Sequence, residues 1–147
     1  MKSAETFWDK AAARYAKSPI RDEASYQKKL AITRDYFQPD WSVLEFGCGT
    51  GGTAILHAPY VRDILATDIS KNMLEIAQAK AADAGIGNIR FHWRLLIPLM
   101  QALGFAPHVS RFGRDELFAM LARAGFDINY EWQPDSLSAF IVARKRA

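Results

Sequence analysis

The sequence predicts an α/β fold, a parallel sheet with helices on both faces and an antiparallel hairpin at the C-terminal end. Three observations carry this. Short apolar runs alternate with helical patterns through the middle of the chain, glycines follow the first such run at once, and the last segment changes to period-two alternation. With 147 residues, half of them apolar, the chain is long enough for one domain with its own core.

The elements follow in order. Phe7, Ala11 and Tyr15 recur at helical spacing, so a first helix is expected from about Ala4 to Ala16, ending before Ser18-Pro19. A second begins near Asp22, carries Tyr26, Leu30, Thr33 and Phe37 along one side, and stops before Pro39. Trp41 to Phe46 reads as a strand, Thr50 to Ala58 as a short helix closed by Pro59, and Val61 to Thr67 as a second strand ending in Asp68. Ser70 is a good N-cap for the next helix, whose Met73, Ala77, Ala81 and Ala84 share a face and whose stop is Gly85. Asn88 to Trp93 is a third strand. Near the end, Leu117, Met120, Leu121 and Ala124 form one helical face that Gly125 terminates. Phe126, Ile128, Tyr130 and Trp132 then alternate with polar residues, and a turn at 133–136 leads into an apolar strand from Leu137 to Ala143.

Composition excludes several classes. The net charge is +3, and Lys and Arg are mixed with acids over most of the chain, so no basic platform for nucleic acid is expected. One stretch differs: between Asp83 and Asp115 there is no carboxylate, while Arg90, Arg94, Arg111 and Arg114 occur. The single cysteine, Cys48, rules out an internal disulfide and suits a reducing compartment. The start lacks the apolar run of a signal peptide, and the stretch from Leu95 to Ala106 is too short to span a bilayer. A cytoplasmic protein without a membrane partner is the expectation. His57, His92 and His108 are scattered and give no metal spacing.

The segment from Val43 to Gly52 is where chemistry concentrates. A strand running into a glycine loop that opens a helix offers backbone N–H groups and the positive end of a helix dipole. Gly47 and Gly49 allow a sharp turn and a close approach by a ligand. Asp68, at the end of the next strand, is placed to accept both hydroxyls of a ribose. Read literally, Gly47-x-Gly49-x-x-Gly52 satisfies the dinucleotide fingerprint, so the loop by itself leaves NAD and other nucleoside cofactors open. Cys48, beside a helix start but without a His or Lys partner, reads as a small loop-filling residue.

Glu45, two residues before the first glycine, gives Glu-x-Gly-x-Gly-x-Gly through Gly51, which resembles the first motif of Rossmann-like, class I S-adenosylmethionine-dependent methyltransferases. Two helices before the first strand and a terminal hairpin also resemble that family. Phe7-Trp8-Asp9-Lys10, Tyr15, Leu44 to Gly51, Ala66 to Ser70 and Met73-Leu74 look like a bacterial group of small-molecule methyltransferases, over roughly residues 6 to 93 and again from about Arg94 onward. The resemblance implies that Gly47, Cys48 and Gly49 hold the methionine part of S-adenosylmethionine and that Asp68 holds the ribose. It places Ile69 and Met73 beside the adenine, Tyr15 over the cofactor, and Glu45 at the loop or the amino group. On periodicity alone, Met73 and Tyr15 fit equally well as core-facing helix residues.

The same resemblance exposes a gap. In the family, the third strand leads into an acidic adenine-side loop and then into two further β-α units. Here Phe91-His92-Trp93 runs directly into Arg94-Leu95-Leu96-Ile97-Pro98, which looks like the family's late lid segment. Strands four and five are therefore expected to be missing, a loss of roughly 60 residues at about 30 per unit. The first strand would then keep an open apolar edge, inviting a homodimer through paired or exchanged elements. Methyl transfer to a small-molecule acceptor is the expected activity, with no catalytic side chain identifiable. The alternatives are an inactive cofactor-binding or assembly module and, more remotely, an NAD-binding domain.

Overall fold

The computed structural model of the chain describes residues 4–93, 113–135 and 138–146. The lid segment expected after Trp93, including Arg94, Arg111 and the apolar stretch from Leu95 to Ala106, lies outside the described residues. The chain divides into two compact units, residues 1–106 and 107–147, and each contains one sheet.

The first unit runs α1 (Ala4–Lys17), α2 (Glu23–Tyr36), β1 (Ser42–Phe46), α3 (Gly52–His57), a 3-10 turn (Ala58–Tyr60), β2 (Asp63–Asp68), α4 (Lys71–Asp83) and β3 (Ile89–Trp93). Two caps do what their residue types predict. Asp22 accepts the Ser25 N–H at 3.0 Å to start α2, and Ser70 accepts the Met73 N–H at 3.1 Å to start α4. Pro59 does not stop α3 abruptly. It sits in the first turn of the 3-10 segment, where its missing N–H costs nothing, so the chain curls on through Tyr60 before β2 begins.

The three strands are parallel and ordered β1-β2-β3, with Leu44 opposite Leu65 and Ala66 opposite Phe91. The core gathers on β2, where Ile64 and Ala66 are fully buried beside Ala54, Ala58, Val61 and Leu74. Phe37, Val43, Ile89 and Phe91 pack around this cluster. His57 is buried too. Its ring stands edge-on to Phe37, and its Nε2 has no hydrogen-bond partner. Burial and the nearby Arg34 charge push its pKa down, which keeps the imidazole neutral.

β1 is different. Among the described residues it pairs only with β2, and its Leu44 and Phe46 are 46% and 58% exposed. No parallel strand beyond these three occurs among the described residues. None of the described helices is long and apolar enough to cross a membrane.

The second unit consists of α5 (Arg114–Arg123), β4 (Phe126–Asp135) and β5 (Ser138–Lys145), the strands forming an antiparallel pair. Gly125, at φ +80°, ends α5, and its carbonyl accepts the Arg146 N–H at 2.8 Å. Arg114 grips both carboxylate oxygens of Glu131. β4 continues through Pro134 to Asp135, into the stretch 133–136 that the sequence marks as a turn. The ladder shifts register between Trp132 and Asp135, an irregularity that accommodates a residue without an N–H.

Candidate cofactor site

The site is built where β1 and β2 end side by side. β1 delivers Glu45 and the glycine loop, and β2 delivers Asp68 and, through Ser70, the start of α4. The loop turns through positive φ at Gly47 (+64°), Gly49 (+55°) and Gly51 (+76°), the region that only glycine enters without strain. A Cβ added at Gly51 would lie 2.8 Å from the Cβ of Ala77, so this glycine lets the loop approach α4. A Cβ at Gly47 would meet nothing within 4 Å; that face of the loop is open.

Three amides of the loop are already engaged within the protein, so they are not among those the loop can offer. The Cys48 N–H bonds to the Thr67 carbonyl at 3.0 Å, and the Gly51 N–H bonds to the Cys48 carbonyl at 3.0 Å. The Gly49 N–H donates to Asp68 Oδ2 at 2.9 Å. Asp68 is a hub: its other oxygen, Oδ1, accepts the Ser70 N–H at 2.8 Å. One carboxylate thus staples the glycine loop to the head of α4 before any ligand arrives. Lys80 adds a second tie, donating from Nζ to Thr50 Oγ1 at 3.1 Å.

Two carboxyl groups, Glu45 and Asp68, face the loop. Burial pushes the pKa of Glu45 up to about 7, and no donor among the described residues offsets it. Cys48 is buried, and its thiol is pushed up to about 12, first by burial and then by the negative charges of Glu45 and Asp68. It is no nucleophile, in keeping with a loop-filling role.

Of the other predicted site residues, Tyr15 is half-exposed on α1 and reaches the loop, with its Cε1 3.7 Å from where a Cβ on Gly49 would stand. Ile69 is half-buried beside Asp68, and its carbonyl accepts Trp93 Nε1–H at 2.9 Å, which brings the end of β3 to the same corner. Met73 is buried, 3% exposed, on the inner face of α4. No sequence pattern assigns Ser70 a role beyond its cap, or Lys80 any role. Their contacts with the loop region span the β2–α4 connection, and no local pattern announces them.

The comparisons agree with this geometry. Residues 43–103 match the model of the methyltransferase domain family. The uncharacterized methyltransferase YcgJ of Bacillus subtilis is 41% identical over 49 residues, 33% of this chain and 19% of that protein. The malonyl-(acyl-carrier protein) O-methyltransferase of Anoxybacillus flavithermus is 39% identical over 67 residues, 43% of this chain and 26% of that protein. The chain therefore spans at most 26% of the length of either relative. Among solved structures, the DhpI–SAH complex shares the fold, with a TM-score of 0.67 at 15% identity over 95% of this chain and 94% of that one. Residues 43–103 thus match a methyltransferase domain, and the likeness to the DhpI–SAH complex, at 15% identity, is one of fold.

Proposed function

We propose that the glycine loop binds S-adenosylmethionine and that the chain directs its methyl group to a small-molecule acceptor. The observation that carries this reading is the state of the loop. A pyrophosphate needs free N–H groups, whereas the amides of Cys48, Gly49 and Gly51 are already engaged and two carboxylates face the same loop. That setting repels a dianion and suits a ligand end carrying a sulfonium and an ammonium against a single carboxylate. Asp68 then takes the ribose hydroxyls, Glu45 the amino group, and Tyr15 covers the ligand from α1.

In the reaction the acceptor's lone pair attacks the methyl carbon, the carbon–sulfur bond breaks, and S-adenosylhomocysteine leaves. The protein's part is to align the acceptor behind the methyl group and to exclude water; no covalent intermediate is required. The mixing of basic and acidic residues supports a small acceptor over nucleic acid, and the free Cys48 supports a cytoplasmic setting. Calorimetric titration of one sample with S-adenosylmethionine, S-adenosylhomocysteine and NAD tests the assignment. Binding of the first two and not of NAD is expected, and the reverse order overturns it.

A second reading has its own observation, the exposed Leu44 and Phe46 on a strand with one neighbour among the described residues. A chain lacking two β-α units of the family would cover that edge by pairing with a second copy, and would bind cofactor without turnover. Sedimentation and methyl transfer to an acceptor library separate the two. A monomer with turnover supports the enzyme, and a dimer that binds but does not turn over supports the module.

A further inference from the structure

Helix α1 is an unusual element. Its Phe7, Trp8 and Tyr15 are 61%, 39% and 52% exposed, joined edge-to-face in a chain from Phe7 to Trp8 to Tyr15. Among its described side chains only Ala12 is fully buried. At 14 residues, a helix with so little buried surface is marginal on its own and depends on its docking contacts. One set of these is polar. Asp9 Oδ1 accepts both the Ser70 hydroxyl and the Asn72 N–H, the latter at 3.2 Å. In return, Asn72 Nδ2 donates to the Asp9 carbonyl at 3.0 Å. Asp9 is thus a remote cap for α4. Ser70 satisfies the Met73 N–H from within the chain's own turn, and Asp9 satisfies the Asn72 N–H from another helix, with its charge at the positive end of the α4 dipole.

These contacts join those of the cofactor site. Gly49 bonds to Asp68, Asp68 to the Ser70 N–H, and the Ser70 hydroxyl to Asp9, while Tyr15, further along α1, returns to Gly49. We propose that Asp9 is a positioning residue: it latches α1 to the head of α4, and so holds Tyr15 over the glycine loop as a strap across the cofactor. It touches no ligand itself and acts through Tyr15. The inference rests on the cofactor assignment above for its effect on affinity, but not for the latch.

The test uses the whole chain with Asp9→Ala, Asp9→Asn, Asn72→Ala, Tyr15→Ala and the Asp9→Ala/Tyr15→Ala pair. Hydrogen exchange of the α1 amides is measured without ligand, and S-adenosylhomocysteine affinity is measured by calorimetry. Asp9→Ala should speed exchange in α1 while the amides of β2 keep their protection, and should weaken binding by about tenfold, the factor that 1.4 kcal/mol represents. Asp9→Asn keeps the acceptor oxygen and should stay within about twofold of the parent. Asn72→Ala breaks the clamp from the other side and should loosen α1 alone, which guards against a folding defect in the Asp9 variant. In the Tyr15→Ala background, loss of Asp9 should cost little more, because its route to the ligand is gone.

Unchanged α1 exchange in Asp9→Ala overturns the latch. So do additive losses in the double variant, or an Asp9→Asn variant as impaired as Asp9→Ala. If the parent chain fails to bind S-adenosylhomocysteine, the cofactor reading falls and the affinity effect with it, while the exchange result still decides whether Asp9 fastens α1.

Discussion

Strands β1 and β2 lie side by side and are treated oppositely by the fold. Ser42–Phe46 is at least as apolar as Asp63–Asp68, yet Ile64 and Ala66 are fully buried whereas Leu44 and Phe46 are about half exposed. A strand buried on both faces reads as a near-continuous apolar run, and β1 is written that way. Among the described residues it pairs with β2 alone. The comparison teaches a division of labour. β2 carries the core, and β1, with one neighbour among the described residues, carries the glycine loop.

The largest effect should come from breaking β2. Ile64→Ala is expected to cost about 2–5 kcal/mol in urea unfolding, the range for truncating a buried aliphatic side chain, while Leu44→Ala should cost under about 1 kcal/mol. Equal costs would mean that the outer face of β1 is covered in solution.

Next in size is the glycine loop. Gly47→Val forces a β-branched residue into positive φ and projects methyl groups into the open face, so S-adenosylhomocysteine binding should be lost. Unfolding should show a loss of only about 1–2 kcal/mol, because no protein atom is struck. Retained calorimetric affinity in that variant would move the ligand away from β1 altogether.

Asp68→Ala should weaken the same ligand by roughly tenfold to a hundredfold, through loss of charge-assisted bonds to the ribose and of the staple between Gly49 and Ser70. A loss below about twofold would reduce Asp68 to a structural carboxylate.

The remaining test is the pH dependence of Glu45. The folded chain holds its proton up to about pH 7, whereas its ordinary value is 4.5, so the folded state binds more protons between the two. Stability from this group is complete below pH 4.5, declines as pH rises through about 7, and is absent above it. Glu45→Gln should flatten that decline. If Glu45 meets the ligand's amino group, the parent's affinity should rise from pH 6 to 8 and that of Glu45→Gln should not, which titrations across that range would check.

Much of this was legible in the chain itself. The caps at Asp22 and Ser70 and the stops at Gly85 and Gly125 mark element ends by local chemistry, and local chemistry is what a sequence displays. The approach of Gly51 to Ala77 and the run of β4 through Pro134 were not legible, since both depend on what packs opposite. The engaged loop amides were hidden for the same reason. A glycine motif shows where a backbone can turn, and not whether a carboxylate from the next strand has already claimed its N–H groups. Met73 fits both an inner helix face and an adenine wall by spacing, and its burial appears only once α4 is docked.

The double engagement of Asp68 also sets a limit on stoichiometry. An ionised carboxylate offers about four lone-pair positions, and Gly49 and Ser70 occupy one on each oxygen. What remains can accept two more donors, one per oxygen. A vicinal diol has two to give, a 2′-deoxynucleoside has one, and a nucleoside bearing a 2′-phosphate brings a charge of the wrong sign. If Asp68 meets the ribose as proposed, the backbone's own claim on it leaves room for a diol and for little else.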